Sequence, residues 1–347
     1  MKKAIVFAVA AAMALTACSG GEKTAEVAVE SETTAAAQGT EAEKEAEKSV
    51  GQEEEPGKKV GVSLLNSTHV FYNNIQKSMD YTAGEMGWSV DFQDASGDAN
   101  KQLSQVQDFI TKKVDAIVIA PTNSAGSKSM VELADQAGIP VFTMDIKSDG
   151  DVVSHIATDN YKGGELAAQY LIENILTDKT GTAAVITYSE IESCVDREKG
   201  FTDYLEKNAP DIVVADIQNY SGDQQKAADV MQNMLLKYDN IDAVFCVGDP
   251  AAIGALSSIT AAEKDTKIIG YDGNPEGIAE IKKGGNWVAD VAQDPEAIGK
   301  TTMEAVEQYL NGTNPEKESS SLPTSLMPAM QNRGQVVIRA LPNSALS

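Results

Sequence analysis

A regular alternation of short apolar runs with longer stretches of helical periodicity most constrains the fold of this chain. The apolar runs lie at residues 60–64, 89–92, 116–120, 141–144 and 154–157, and again at 183–187, 212–217, 243–247, 267–271 and 288–292. Helical stretches separate them, including one predicted at residues 198–208. Parallel strands need such crossover helices, which cover both faces of the sheet. The pattern predicts an α/β protein built on covered parallel sheets.

The segment 1–18 has the organisation of a secretory signal peptide. Lys2 and Lys3 precede an apolar run over residues 4–14, which is shorter than the roughly 20 residues of a transmembrane helix. The tetrad Leu15-Thr16-Ala17-Cys18 resembles the bacterial lipobox, which implies that Cys18 is lipidated and becomes the first mature residue. An ordinary signal peptide with an incidental Cys is the alternative. A lipidated chain is expected outside the cytoplasm, anchored to the outer face of the cytoplasmic membrane or in the periplasm.

Residues 19–57 are predicted to be a disordered acidic tether. They contain almost no large apolar side chain, so they cannot bury enough surface to offset the entropy of ordering. This segment has 11 Glu and 3 Lys, so it carries a third of the net charge of −24, and the charge says more about solubility than about the ligand. The sequence has no cluster of basic or aromatic residues, which argues against a nucleic-acid partner. The remaining residues, about 290, exceed one hydrophobic core and predict two lobes.

The cysteines and histidines predict neither a disulfide framework nor a metal site. Beyond Cys18 the chain has Cys194 and Cys246, for which one bridge is arithmetically possible. Cys246 lies in a predicted buried strand, where free thiols are common, and this favours unbridged cysteines. The two histidines, His69 and His155, lack the spacing of metal ligands. An enzyme is an alternative function for such a sheet. The sequence contains neither a phosphate-binding Gly-rich turn nor a Gly-x-Ser-x-Gly motif, so we expect no cofactor and no enzymatic activity.

Polar side chains recur where predicted strands end. Asp145, Asp249, Asp272 and Gln293 follow the runs at 141–144, 243–247, 267–271 and 288–292. In open parallel sheets, ligands bind beyond the carboxyl ends of the strands. The alternative is that each Asp caps the following helix. Four polar residues in one repeating position favour a shared binding crevice.

Five short stretches carry a further signal because of their order. They are Val152-Val153-Ser154-His155-Ile156-Ala157-Thr158-Asp159-Asn160 with Gly163-Gly164, Ile119-Ala120-Pro121-Thr122, Ala137-Gly138-Ile139-Pro140-Val141, Asp196-Arg197-Glu198-Lys199-Gly200-Phe201 and Gly270-Tyr271-Asp272-Gly273. Together they resemble the ribose-binding, periplasmic sugar-binding family, which shares its fold with lactose-repressor-type regulators. The lipoprotein signal argues against a regulator.

The resemblance implies the type I periplasmic binding protein fold, with two Rossmann-like lobes whose parallel sheets are joined by a three-stranded hinge. The N-terminal lobe is expected at residues 58–158 plus 294–322. The C-terminal lobe is expected at residues 159–293 plus 323–347. The ligand would lie between them, and hinge closure would present a closed face to a partner.

The resemblance also implies sugar contacts in the first helix. Phe71 and Tyr72 match an aromatic pair that packs on the apolar face of a sugar ring. A helix-face core position is the alternative for these rings. His69 lies near a sugar-binding Asn of the family, although the loop that contains it differs in length.

Polar contacts are implied at five further positions. Asp145 matches the carboxylate after the fourth strand, Arg197 matches a hydroxyl-binding Arg, and Asp249, Asp272 and Gln293 match acceptors from the second lobe. Sugar hydroxyls both donate and accept, so ionised Asp and Arg make charge-assisted hydrogen bonds with them.

The chain departs from the ribose binders in three places. Ile146 replaces an Arg, Gly248 replaces an Asn, and an aromatic ring is replaced around Ser221-Gly222-Asp223, where the nearby Tyr220 is a substitute. These changes disfavour D-ribose. We expect another pentose, a hexose, a polyol or a cyclitol, with Gly248 leaving room for a larger ligand.

The leading functional hypothesis is the solute receptor of an ABC importer, acting as a monomer with a permease in the same membrane. The alternatives are a sensory partner of a membrane histidine kinase or chemoreceptor, and a binder of a small polar molecule that is not a sugar. The sequence alone leaves import and signalling open, because both use the closed face.

Overall fold

The computed structural model describes residues 57–327 and 337–339. The predicted signal peptide with Cys18, and the predicted tether up to residue 56, lie outside the described residues. Within the described part, none of the helices has the length and apolarity needed to cross a membrane.

The elements alternate as the sequence predicts. In chain order they are β1 (Lys59–Leu64), α1 (Val70–Glu85), β2 (Ser89–Asp94), α2 (Ala99–Lys112), β3 (Ala116–Ile119), α3 (Lys128–Gln136), β4 (Val141–Met144), β5 (Ser154–Thr158), α4 (Asn160–Tyr170), β6 (Gly181–Thr187), α5 (Glu192–Asn208), β7 (Ile212–Asn219), α6 (Gln224–Lys237), β8 (Ala243–Cys246), α7 (Asp249–Ala261), β9 (Lys267–Asp272), α8 (Pro275–Lys283), β10 (Trp287–Ala292), α9 (Pro295–Leu310), β11 (Glu318–Ser321), β12 (Thr324–Met327) and β13 (Val337–Arg339). A turn of π-helix, Leu171–Ile175, follows α4.

The strands form two sheets. The first has the order β11-β5-β4-β3-β1-β2, and its strand pairs are parallel. The second has the order β13-β12-β10-β9-β8-β6-β7, in which β12 pairs antiparallel with both β10 and β13. We call the first sheet with its helices the first lobe, and the second sheet with its helices the second lobe. The predicted α/β fold with two parallel-sheet lobes is confirmed.

Helices bury both faces of the first sheet because alternate residues of each strand point to opposite faces. On β3, Ile117 and Ile119 pack with Phe109 of α2. Val118, one position along, packs on the other side with Met303 of α9. Each fully buried side chain of this size stabilises the fold by about 1.5–3 kcal/mol. A strand that is buried on both faces has to be apolar throughout, which explains the short continuous runs in the sequence.

Three crossovers connect the lobes and lie side by side. They run from β5 into α4, from β10 into α9, and from β11 into β12. The Thr158 hydroxyl donates to Gln293 Oε1 at 2.7 Å, which ties the first crossover to the second. The Asp159 N–H donates to the Ser321 carbonyl at 3.0 Å, which ties the first to the third. These bonds form the hinge beneath the cleft.

Helix α5 begins six residues before the predicted start at residue 198, and this difference matters for the site. Its buried face follows helical spacing through Ser193, Arg197 and Phe201. The two glycines that face each other between α4 and α5 permit a close approach: a Cβ at Gly164 would overlap the Arg197 carbonyl, and one at Gly200 would overlap a carbonyl of α4. The Arg197 side chain is therefore held inside the second lobe.

Candidate functional site

A cavity lies between the lobes at the carboxyl ends of the strands. Its enclosed volume is about 90 Å³. Its first-lobe lining is Leu65, Asn66, His69, Phe71, Tyr72, Asp145 and Ile146. Its second-lobe lining is Tyr188, Ile191, Ser193, Cys194, Arg197, Tyr220, Gly222, Val247, Gly248, Pro250 and Asp272, with Gln293 from the hinge. Seven of the eight predicted ligand contacts are thereby brought together.

Asp145 places a buried carboxylate in the first-lobe wall. It follows β4 directly and has a positive φ of 62°, a conformation that is uncommon outside glycine. The Tyr72 hydroxyl donates to its Oδ2 at 2.5 Å. Burial raises the pKa of Asp145, and the nearby positive charge of Arg197 partly offsets this rise. Asp145 is thus an acceptor that is already held by one protein donor.

Arg197 supplies a buried cation from the opposite wall. Its Nε donates to Asn160 Oδ1 at 2.8 Å, and its Nη1 donates to the Val247 carbonyl at 2.7 Å. The guanidinium stacks on the Tyr271 ring, 3.8 Å from the ring centroid. Among the described residues, its other terminal nitrogen, Nη2, has no hydrogen-bond acceptor within the protein. An arginine fixed in this way can direct its remaining N–H groups at a ligand.

Asp272 is the centre of the polar network. Its carboxylate accepts from Gln293 Nε2 at 2.8 Å, from Arg197 Nη1 at 3.4 Å and from the Asp249 backbone N–H at 3.1 Å. His69 Nε2 of the first lobe lies 3.7 Å from Asp272 Oδ2 across the cleft. Asp272 also has a positive φ of 113°, so the surrounding bonds hold it in a strained conformation.

His69 and the two aromatic residues are positioned by the start of α1. His69 is the N-cap residue, and its Nδ1 accepts from the Phe71 backbone N–H at 3.2 Å. This bond assigns the ring proton of neutral His69 to Nε2, on the cavity side. The rings of Phe71 and Tyr72 meet edge to face with centroids 5.4 Å apart. Both line the cavity and also belong to the buried core, so a ligand contact and a core position do not exclude each other for these rings.

The structure does not place the Asp249 carboxylate on the cavity, where the sequence predicts it. The residue occupies the first turn of α7, and its carboxylate turns away from the cavity into the second lobe. There Oδ2 accepts from the Asn274 backbone N–H at 2.9 Å, and the carboxyl contacts that of Asp290. The start of the helix, not the end of the strand, decides the direction of this side chain. Only its backbone N–H reaches the site, through Asp272.

The sequence reasoning missed one aromatic residue in the second-lobe wall and named another only as a substitute. Tyr188 and Tyr220 directly follow β6 and β7, and their rings meet edge to face at 5.6 Å. Both could have been predicted as site residues, because each directly follows a strand, as Asp145 and Asp272 do in the sequence prediction. Tyr220 is 5% exposed, and its hydroxyl has no hydrogen-bond partner among the described residues. A Cβ added at Gly248 would lie 3.7 Å from that hydroxyl, so Tyr220 occupies the side of the cavity that Gly248 leaves open.

Both described cysteines are free thiols. Cys194 lines the cavity and Cys246 is buried in β8. Burial raises the pKa of Cys194 to about 12, so it is an uncharged and weakly polar part of the wall. Within residues 57–327 and 337–339, no group of His, Cys, Asp or Glu side chains has the arrangement of a metal site.

Comparison with known proteins shows which family has this architecture. A family model described as a periplasmic binding protein domain matches residues 60–314, which is most of the chain. The chain belongs to the periplasmic binding protein family. Members of this family are substrate-binding components of transport systems, and they act outside the cytoplasm.

Relatives and solved structures of periplasmic binding proteins agree with the assignment. The ribose import binding protein of Bacillus subtilis is 35% identical over 267 residues, covering 76% of this chain and 85% of that protein. A galactofuranose binding protein superposes with a TM-score of 0.72 at 26% identity, covering 78% of this chain and 95% of that one. The Caulobacter myo-inositol binding protein, bound to myo-inositol, superposes with a TM-score of 0.72 at 27% identity, covering 78% and 93%.

Proposed function

We propose that this periplasmic binding protein captures a monosaccharide-like ligand between its lobes and delivers it to an ABC importer. One observation carries the proposal: the buried charged groups of Asp145, Arg197 and Asp272 face a single cavity from both lobes. Buried charges are costly unless they are paired, and the ligand hydroxyls supply the remaining partners. The names of the relatives, which include ribose, galactofuranose and myo-inositol binders, support a sugar or polyol.

The arrangement suits a polyhydroxylated ring. Asp272 and Asp145 accept from ligand hydroxyls, whereas Arg197 Nη2 and His69 Nε2 donate to them. Each hydrogen bond to a charged group contributes about 1.5–3 kcal/mol net. A few such bonds, with the Phe71 ring against the C–H face, are enough for micromolar affinity, which corresponds to about −8 kcal/mol.

Ligand binding should close the lobes by a hinge motion, because the ligand contacts come from both of them. Ile146 and Leu65 of the first lobe pack against the apolar cluster of the second lobe. This apolar contact beside the cavity supports the closed arrangement. Rotation about the three crossovers would open the cleft and expose the ligand.

The ligand we propose is a pentose other than ribose, a hexose, a polyol or a cyclitol. Ile146 lines the cavity without a donor, and Gly248 leaves a space that Tyr220 borders. Replacing a charged donor by an apolar wall favours a ligand with fewer hydroxyls on that side. On the opposite wall of the cavity, the Tyr220 hydroxyl offers a hydrogen-bonding group to the ligand in place of the donor that is missing at Ile146.

We also propose that the protein is a monomer held at the outer membrane face by a lipid on Cys18, beside its permease, and that it has no enzymatic activity. The lipobox-like tetrad ending at Cys18 supports the anchor. Cys18→Ser should release the protein from membrane pellets without changing its affinity in solution. Retention of this variant in the pellet would contradict lipid anchoring.

A thermal-shift screen tests the ligand class. Pentoses, hexoses, polyols and cyclitols are each added to the purified chain, and a true ligand stabilises the native state by RT ln(1 + [L]/Kd), about 2.7 kcal/mol at 100 times Kd. The Arg197→Ala variant, assayed in parallel, should lose the shift. If amino acids or purines stabilise the protein and no carbohydrate does, the sugar assignment is wrong.

A further inference from the structure

Two carboxyl groups face each other directly behind the ligand cavity. Asp290 of β10 has no exposed surface, and Asp249 of α7 is 2% exposed. Their carboxyls lie close enough for a hydrogen bond between them. Three of the four oxygens, Asp249 Oδ1 and both oxygens of Asp290, are buried without a hydrogen-bond donor among the described residues. Asn274 and the Gly273 backbone lie against the pair from the neighbouring turn. The contact between the two carboxyls itself contains acceptors only, so a donor is missing from that contact.

The groups around the pair offer no compensating cation in the described part of the chain. Asp272 of β9 adds a third negative charge, and Cys246 of β8 adds a buried thiol. The Trp287 indole N–H donates to the Ala289 carbonyl at 3.1 Å and not to a carboxylate. From α8, a Cβ at Gly277 would lie 2.7 Å from Asp290 Oδ2 and 3.0 Å from Asp249 Oδ1, so that helix closes the space.

Two ionised carboxylates cannot remain in contact in such a site. Like charges that share a buried position raise one pKa strongly, and a proton between them supplies the missing donor. Burial is the main cause that raises the pKa of Asp249 to about 8, and it raises that of Asp290 well above the ordinary carboxyl value. The negative charge of Asp272 adds to the rise at Asp249, and the negative charge of Asp249 adds to the rise at Asp290.

The pair is connected to the ligand site by two backbone hydrogen bonds. The Asp249 N–H donates to Asp272 Oδ2 at 3.1 Å, and Asp249 Oδ2 accepts from the Asn274 N–H at 2.9 Å. The carboxyl of Asp249 thus holds the turn that carries Asp272, whose positive φ requires such support.

We propose that Asp249 and Asp290 share one proton in the folded protein, and that this proton positions Asp272 for ligand binding. When the proton leaves in alkaline solution, the two carboxylates repel each other, the turn at residues 272–274 shifts, and Asp272 loses its alignment with Arg197. Asp290 is a positioning residue, since it does not line the cavity. The binding part of this inference rests on the proposed sugar-binding function.

The first test measures Kd for the best carbohydrate ligand at pH values from 6 to 9 by calorimetry. Wild-type affinity should be constant near neutral pH and then fall by at most about tenfold per pH unit, the limit for release of one proton. Asp290→Asn, which mimics the protonated carboxyl, should give a flat profile. Asp239→Asn, at an exposed position of the same lobe, should retain the wild-type profile. Equal profiles for wild type and Asp290→Asn would overturn the positioning role.

The second test needs no ligand and therefore separates this inference from the proposed function. Infrared spectra of the free protein at neutral pH should show a protonated-carboxyl band that disappears on alkalinisation. The band should be missing from Asp290→Asn and also from Asp249→Asn, which covers the case that one variant fails to fold. If the wild type lacks this band at neutral pH, no proton is shared, whatever the protein binds.

Discussion

The Tyr220→Phe substitution removes one hydroxyl from the cavity wall and leaves the fold unchanged. The Tyr220 ring packs against Tyr188 and belongs to the apolar cluster of the second lobe, and phenylalanine keeps both contacts. The hydroxyl has no hydrogen-bond partner among the described residues. Buried tyrosine hydroxyls usually have a partner, and here the cavity is where that partner would lie.

The expected loss of affinity follows from the chemistry of that hydroxyl. Burial raises the pKa of Tyr220 well above its ordinary value, so the group is a neutral phenol that both donates and accepts. A neutral hydrogen bond contributes about 0.5–1.5 kcal/mol net. The Kd should therefore rise by about two- to twelvefold.

Calorimetric titration of Tyr220→Phe with the identified sugar, alongside a thermal unfolding curve, measures both quantities. The melting temperature of the free protein should match that of the wild type. Tyr81→Phe, at an exposed tyrosine of α1 outside the cavity, should change neither affinity nor ligand preference. A matching series of deoxy sugars should contain one analogue that binds wild type and Tyr220→Phe equally. If Tyr220→Phe binds the sugar as tightly as wild type does, the hydroxyl does not contact the ligand.

Three further outcomes can be measured with the same assays. Arg197→Ala should weaken binding by about 2–5 kcal/mol in calorimetry because acceptors remain unpaired, and Arg197→Lys should recover only part of this; undiminished affinity would remove Arg197 from the site. Gly248→Ala should fold normally, since its Cβ would meet ordinary contacts at 3.4 Å or more, yet a ligand screen should show a shift toward smaller ligands. Burial lowers the pKa of His155 to about 4, so the unfolded chain binds the extra proton first and stability falls as pH decreases from about 6.5 to 4, by up to about 3 kcal/mol. Denaturant titrations of His155→Gln should lack this acid-side loss; an unchanged pH dependence would contradict a neutral imidazole in this partly buried position.

The sequence predicts much of the site because strand ends are a positional signal. Asp145, Asp272 and Gln293 were found in this way, and the structure places all three on the cavity. The same signal failed for Asp249 because the first turn of α7 sets its side-chain direction, which strand position does not determine. It was not applied to β6 and β7, whose following aromatic residues are more easily assigned to the core.

Two parts of the fold have no clear signal in the sequence. Strand β11 consists of Glu318 and three serines, and among the described strands it pairs with β5 alone at the edge of the sheet, so it needs no apolar run. The first turns of α5 carry charged residues around Arg197, which hide the helical period. In both cases tertiary pairing, not local apolar pattern, stabilises the element.

Gln293 has a dual connection with consequences for how such a receptor changes over evolution. Its amide nitrogen donates to Asp272 and its amide oxygen accepts from Thr158, so one side chain belongs to both the cavity wall and the crossovers. We therefore expect a substitution there to change lobe opening together with ligand binding. On that expectation, selection for faster ligand release at this position would also change which ligand is favoured.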